Sequence, residues 1–392
     1  MGNALAWYNP RIMEAGGKKQ WLRAVGTMIA TVVGVGVFGL PSVFSRAGFL
    51  LGLAELVALT AVLVILTLMY AELTMDTPGR HRFVTYIGRY LGPFGKWLAQ
   101  VTFVGSVFGA SLAFTIIGGD FLSRLSVGRL APAVASIVVW LIVGALAFGG
   151  FKAVSRLVVW IILSLLVLYA ILISSALPAF QLPNLLAVSS DPLAFFIPYG
   201  VIIFSLTGMG AIPEMHDLFG RHKRRLPQAI LAAYAVIFLL YAVFIASVIG
   251  AAGPLTSPDV LVSLAPYVSH VVLTLGAVLG TISVISIFTM LGAETVNLFQ
   301  IDFGMSRRSA WLLTFGIPLI MFLLGMRQFI PVIGFVGGLF SGLIGILIIL
   351  AYERLKKTTT KKNIRRLPSI VSFGIGLVLA IGMTLQIVYT FN

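Results

Sequence analysis

The stretch that decides the fold is Val25-Gly26-Thr27-Met28-Ile29-Ala30-Thr31-Val32-Val33-Gly34-Val35-Gly36-Val37-Phe38-Gly39-Leu40-Pro41. It is apolar enough to lie in lipid, yet two glycines one residue apart sit near its middle, and a third glycine and a proline follow. Each glycine weakens a helix by about 1 kcal/mol relative to alanine, so an unbroken helix is unfavourable here. Unwinding frees backbone N–H and C=O groups at bilayer depth, where only protein, water or a ligand can satisfy them. The same pattern returns at Phe204-Ser205-Leu206-Thr207-Gly208-Met209-Gly210-Ala211-Ile212-Pro213-Glu214.

Working outward, the 392 residues are 59% hydrophobic and 10% charged. With a mean hydropathy of +1.06, the composition is that of a chain whose solvent is lipid. Apolar stretches long enough to cross about 30 Å of hydrocarbon run near 21–45, 49–75, 96–123, 131–150, 154–177, 193–219, 227–252, 270–299, 309–326, 329–352 and 368–391. These predict eleven helical spans, with Pro78-Gly79, Gly92-Pro93, Pro178, Pro183, Pro192, Pro227, Pro254, Pro258 and Pro368 as punctuation between them. The polar segment Met1 to Gln20 has no apolar run ending in a small-residue cleavage site, so no signal peptide is read and the first helix itself inserts.

The net charge of +15 is a matter of topology. With the N-terminus in the cytoplasm, 23 of the 27 basic residues fall in cytoplasmic segments, and only Arg46, Arg124, Arg129 and Arg327 fall outside. That bias is the positive-inside rule, and it predicts a multi-pass inner (plasma) membrane protein with Asn392 outside. Basic residues spread over six segments do not make a nucleic-acid groove; they are topology determinants beside the bilayer, some of them within reach of its anionic lipids. Zero cysteines exclude disulfides and thiolate metal sites.

A lone Gly-x-Gly in a membrane helix is most simply a small-residue packing site. Here it recurs in spans one and six, five helices apart. Five is odd, so two five-helix units must run in opposite directions, the inverted-repeat layout of many secondary transporters. The predicted fold is therefore an all-α polytopic membrane protein of five plus five helices with an eleventh added. Its expected divisions are a cytoplasmic segment 1–20, a first repeat 21–177, an extracellular loop 178–192, a second repeat 193–352, a basic loop 353–367 and the eleventh helix 368–392. At each break a half-helix N-terminus offers N–H groups to a carboxylate while freed carbonyls can hold an ammonium or a cation. A zwitterion suits both.

Gly34-Val35-Gly36-Val37-Phe38-Gly39-Leu40-Pro41, then Ala47-Gly48-Phe49 and Tyr70-Ala71-Glu72-Leu73, resembles the amino acid/auxin permease group of the amino acid–polyamine–organocation superfamily and the bacterial aromatic amino acid permeases. Gly208-Met209-Gly210-Ala211-Ile212 resembles the sixth helix of LeuT-fold transporters. The resemblance implies a LeuT-type core with a central site reached by alternating access. It puts the substrate carboxylate on the N–H groups of Val35, Gly36 and Val37, beside Gly34, and the amino group on carbonyls around Thr31, Phe204 and Ser205. Phe204, Gly208 and Met209 would line the side-chain pocket, faced by Phe103, Ser106, Val107 and Phe108 of span three and by Ser283 and Ile287 of span eight. No carboxylate falls at the centre of that pocket, which favours a neutral amino acid.

Sodium-coupled members of the fold hold a cation between first-helix carbonyls, here Ala30 and Val33, and eighth-helix hydroxyls, here Ser283, Ser286 and Thr289. Oxygen-only ligation suits a hard cation, and the competing reading is that these hydroxyls bond back to their own helix. A further sodium position that uses Asn in one branch is Val37 here, and the lysine that proton-coupled relatives carry in the fifth span is absent. H+ and Na+ both stay open as the coupling ion, and no organic cofactor is expected. Ionisable residues within spans are functional candidates, so Glu214 and Glu294 are read as gating or coupling groups, paired with Arg23 or Arg11.

Four histidines (His81, His216, His222, His270) form no metal-ligand pattern, and no Gly-x-x-x-x-Gly-Lys-Ser/Thr loop is present, so neither an enzyme nor an ATP-driven pump is expected. The alternative within the fold is an amino acid sensor that binds in the same pocket without net flux.

Overall fold

The computed structural model describes residues 18–77, 79, 81–126, 129–149, 158–188, 192–358 and 367–391; Arg11 lies outside them. The described helices, in chain order, are α1 (Lys18–Val32), α2 (Leu40–Ala47), α3 (Phe49–Asp76), α4 (Phe83–Leu125), α5 (Pro132–Gly149), α6 (Val158–Ala176), α7 (Leu182–Leu186) and α8 (Ile197–Leu206). The chain continues through α9 (Ile212–Phe219), α10 (Leu226–Ala252), α11 (Val260–Leu264), α12 (His270–Phe303), α13 (Arg307–Leu323), α14 (Phe329–Phe335), α15 (Gly342–Thr358) and α16 (Ser369–Phe391). No strand occurs among these residues; a single antiparallel bridge joins Gly48 to Val188.

Eight helical segments are long and apolar enough to cross a membrane, and nine when α1 and Val35–Ala47, bent by 48° at the break, count as one span. Among the described residues, the shorter apolar helix Leu165–Ala179 and the 17-residue α13 fall on two further apolar stretches of the sequence. The chain is thus an all-α, multi-pass membrane protein.

Local sequence explains the interruptions. In the first span α1 stops at Val32, Gly34 is extended (φ −132°, ψ −154°), and a 3-10 turn over Val35–Gly39 leads into α2, with Pro41 in its first turn. In the sixth, α8 ends at Leu206, Thr207 is extended, a 3-10 turn covers Met209–Ala211, and α9 restarts with Pro213 in its first turn. Proline suits both places because the first turn of a helix has no partner for its N–H anyway. At Gly92 the backbone reaches φ +73°, open to glycine, and with Pro93 it divides α4 into a short lead-in from Phe83 and the membrane span proper.

Both breaks sit inside the bundle. α1 packs on α9 and α10, while α8 packs on α2, α3 and α14. A π turn over Val336–Ser341 separates α14 from α15 and lies against α8, where a side chain on Gly337 would collide with the Gly200 carbonyl and the Phe204 backbone. The eleventh helix, α16, is stitched onto this group. Tyr199 donates to the Leu379 carbonyl at 3.3 Å, and Gln386 lies over Gly200, Gly334 and Gly338. At the other end Lys356 Nζ bonds Glu353 Oε1 (2.8 Å), the Leu367 carbonyl (3.0 Å) and Ser369 Oγ (2.9 Å).

Candidate functional site

The two interrupted helices touch at their interruptions. A Cβ on Gly36 would fall 2.7 Å from Ser205 Oγ, 3.0 Å from Ser205 Cα and 3.1 Å from Phe204 Cδ1. A Cβ on Gly208 would run into Val32 Cγ2 and meet Met28 Cε at 2.7 Å. One glycine of each pair therefore provides the space in which the other span's break sits.

Unwinding has released carbonyls, and three fully buried tyrosines take them up. Tyr169 of α6 donates to the Gly34 carbonyl at 3.0 Å. Tyr234 of α10 donates to the Leu206 carbonyl at 3.2 Å and shares a 3.0 Å bond with the Thr67 hydroxyl. Two turns further along α10, Tyr241 lies 3.0 Å from the Val32 carbonyl and 2.9 Å from the Ser205 carbonyl, so one phenol spans both breaks. A buried carbonyl left unpaired costs about 1–3 kcal/mol; Tyr169 and Tyr234 each remove that cost for one carbonyl, while Tyr241 has one hydrogen for two. Thr207 closes the sixth-span break from within, its hydroxyl on the Ile203 carbonyl at 2.7 Å and its N–H on Phe204 at 3.4 Å.

Access to the breaks is one-sided. Arg23, Gly26 and Thr31 of α1, Gly210 and Glu214 beyond the sixth-span break, and Glu294 of α12 are exposed, and Thr27 and Ala30 are half-exposed. On the other side of the break Val35, Gly36, Val37, Phe38, Leu40, Val43 and Phe44 are buried. The open half is the one that carries Arg23, Arg82 and the other basic loops.

The residues singled out from the sequence divide accordingly. Gly36, Phe204 and Ser205 come together, as do Val32 and Gly208; Met209 is buried and Phe204 half-buried. Phe108 packs at a tilt against Phe299 of α12, ring centres 6.3 Å apart, and Val107 is buried beside it in sequence. Thr31 bonds back to the Thr27 carbonyl at 2.9 Å. In α12, Ser286 and Thr289 turn back to the Ile282 and Ile285 carbonyls at 2.7 and 2.6 Å, while Ser283 Oγ is fully buried without a partner and Ile287 is half-buried. Among the described residues Arg23 forms no ion pair with Glu214 or Glu294; those two carboxylates lie within electrostatic reach of each other and of Arg82. No group of three metal-ligating side chains occurs among the described residues.

The tyrosines, Arg82 and the π turn did not emerge from the sequence reading. A signal for two of them was present: Tyr234 and Tyr241 stand seven residues apart inside an apolar span, on one helical face, where a phenol needs a partner.

A family model described as the tryptophan/tyrosine permease family matches residues 18–389. Tyrosine-specific transport system 1 of Haemophilus influenzae is 24% identical over 332 residues, 79% of this chain and 82% of that protein. Amino acid transporter AVT3A of Arabidopsis thaliana is 22% identical over 240 residues, 57% of this chain and 55% of that protein. Among solved structures, MhsT in complex with L-phenylalanine superposes with a TM-score of 0.63 at 16% identity, covering 96% of this chain and 99% of that one. The fold is thus that of the LeuT-type transporters, and the relatives are transporters rather than enzymes.

Proposed function

The chain belongs to the tryptophan/tyrosine permease family, and on that footing we propose that it is a secondary transporter that carries an aromatic amino acid through a central site between the two broken helices. The observation that carries this reading is the meeting of Gly36 with Ser205, which brings freed backbone groups of both signs to one place. In our assignment the substrate carboxylate takes the N–H groups at the start of the Val35–Gly39 turn, where the helix dipole favours negative charge. The ammonium takes carbonyls of Thr31, Val32 and Ser205, and the aromatic side chain lies against Phe204 and Met209. The bound L-phenylalanine of the structural neighbour and the tyrosine specificity of the bacterial relative support an aromatic substrate.

Transport is by alternating access. In this reading the exposed half at Thr31, Gly210 and Glu294 opens to the cytoplasm, with the N-terminus inside and Asn392 outside the inner membrane, as the distribution of basic residues supports. Coupling is to H+ or Na+. A sodium position would draw on the Ala30 and Val33 carbonyls and on Ser283, the eighth-span hydroxyl not turned back on its own helix. A proton-coupled cycle would draw on Glu214 and Glu294 beside Arg82.

Counterflow in proteoliposomes tests the reading. Labelled L-tyrosine, L-tryptophan and L-phenylalanine are exchanged against unlabelled amino acids, with and without imposed Na+ or pH gradients. Saturable exchange of at least one aromatic acid, and accumulation under one of the two gradients, is expected. Saturable binding with no exchange under either gradient would make the protein a sensor instead.

A further inference from the structure

A buried hydroxyl that serves two carbonyls at once is short of hydrogen. Tyr241 Oη lies within bonding distance of the Val32 carbonyl (3.0 Å) and the Ser205 carbonyl (2.9 Å), and its side chain is wholly buried. A phenol has one hydrogen, so the two oxygens share a single donor while each keeps a further lone pair. The neighbouring tyrosines differ. Tyr169 has the Gly34 carbonyl as its one acceptor, and Tyr234 can accept from Thr67 while it donates to Leu206, so neither is asked for more hydrogen than it has.

The shortage lies at the contact between the breaks. Ser205, which supplies one of the two carbonyls, also has a buried side-chain hydroxyl without a partner, next to Gly36. Two convergent carbonyls with half a donor each, plus an idle hydroxyl, make a cluster of acceptors suited to a small group rich in N–H and positively charged. A primary ammonium supplies three such donors, and its bonds to carbonyls are charge-assisted.

We infer that Tyr241 is the positioning residue for the substrate's ammonium: its hydroxyl holds the Val32 and Ser205 carbonyls convergent and gives up its share of Ser205 when the ammonium arrives. This rests on the amino acid site proposed above. No proton is transferred; the phenol keeps its hydrogen and directs it to Val32 while the ammonium bonds Ser205. A compound with the same ring and carboxylate but no amino group leaves the shortage unrelieved, so Tyr241 contributes to telling amino acids from their deaminated analogues.

The test is competition in the counterflow assay, with each of L-tyrosine, L-tryptophan and L-phenylalanine set against its deaminated arylpropionate. Wild type is expected to prefer the amino acids. In Tyr241→Phe that preference should fall by about tenfold, the scale of one hydrogen bond to a charged group, because ring and carboxylate contacts persist while the carbonyls lose alignment. Tyr234→Phe removes an equally buried phenol from the same helix and should weaken both compounds together, leaving the ratio unchanged. Thermal unfolding in detergent checks that both variants are folded. Should Tyr241→Phe not fold, 3-fluorotyrosine placed at 241 keeps the shape and strengthens the donor. It should lower the ratio, whereas the same replacement at 234 should not. A ratio unmoved at 241 with wild-type preference intact overturns the inference and leaves the transport reading standing. A wild type without preference for the amino acids overturns the site itself.

Discussion

The hydroxyl of Tyr169 donates to the carbonyl of Gly34 across 3.0 Å, so the fifth span closes a hydrogen bond that the break in the first leaves open. Its ring also packs against Phe38 and Phe244 at 5.7 and 5.2 Å, which fixes where that hydroxyl points. Tyr169→Phe keeps the rings and removes the bond. The expected cost is about 1–3 kcal/mol, the penalty of an unpaired buried carbonyl, read as a lowered Tm in detergent. Tyr169→Ala should cost more, since the aromatic contacts go as well.

Gly36 and Gly26 belong to the same span and should respond in opposite ways to one methyl group. At Gly36 the new Cβ meets Ser205 at both side chain and Cα, and the backbone cannot retreat without parting the two breaks. Gly36→Ala should therefore abolish exchange, and adding Ser205→Gly should restore part of it. At Gly26 nothing lies within 4 Å, so Gly26→Ala should be tolerated and should stabilise the exposed face of α1 by a fraction of about 1 kcal/mol. Loss of exchange in both variants would refute the account of why the first-span glycines differ.

The chain has no cysteine, so single replacements report accessibility without background. Thr31→Cys and Gly210→Cys are expected to react with a membrane-impermeant thiol reagent from the cytoplasmic side of oriented vesicles, and Val37→Cys to resist it. Equal labelling of Val37→Cys would remove the one-sided opening described here.

Lys356 spends its three hydrogens on Glu353, the Leu367 carbonyl and Ser369, with its side chain 15% exposed and that of Glu353 12% exposed. Lys356→Ala should loosen the anchorage of α16 to α15 and lower the Tm, while the KM for substrate stays near that of wild type because neither break is touched.

How much of this was legible beforehand follows a physical divide. Apolar length and the glycine pairs at Gly34/Gly36 and Gly208/Gly210 are one-dimensional features, and they yielded the multi-pass helical fold and the two interruptions. What answers the freed carbonyls is a matter of tertiary contact: Tyr241 reaches Val32 from 209 residues away in sequence, and no local pattern encodes that distance. The Ser283, Ser286 and Thr289 set shows the same limit, since equal hydroxyls at helical spacing divide into two that bond back and one that does not. Which does which depends on the neighbours of each face. Arg82 escaped attention because its neighbours Glu214 and Glu294 come from other helices.

The π turn at Val336–Ser341 has a consequence for comparing sequences. A π turn holds one residue more than the α turn it replaces, so everything after it is rotated by about 100° relative to an unbroken helix. Gly334 and Gly338 both face Gln386 across that turn, a spacing that a regular helix would keep and an indel would spoil. A homologue lacking the turn should therefore align with a one-residue gap between Phe335 and Gly342, and with that gap the residues on either side keep the faces they present here, whereas an ungapped alignment would assign the wrong side chains to the contact with the sixth span.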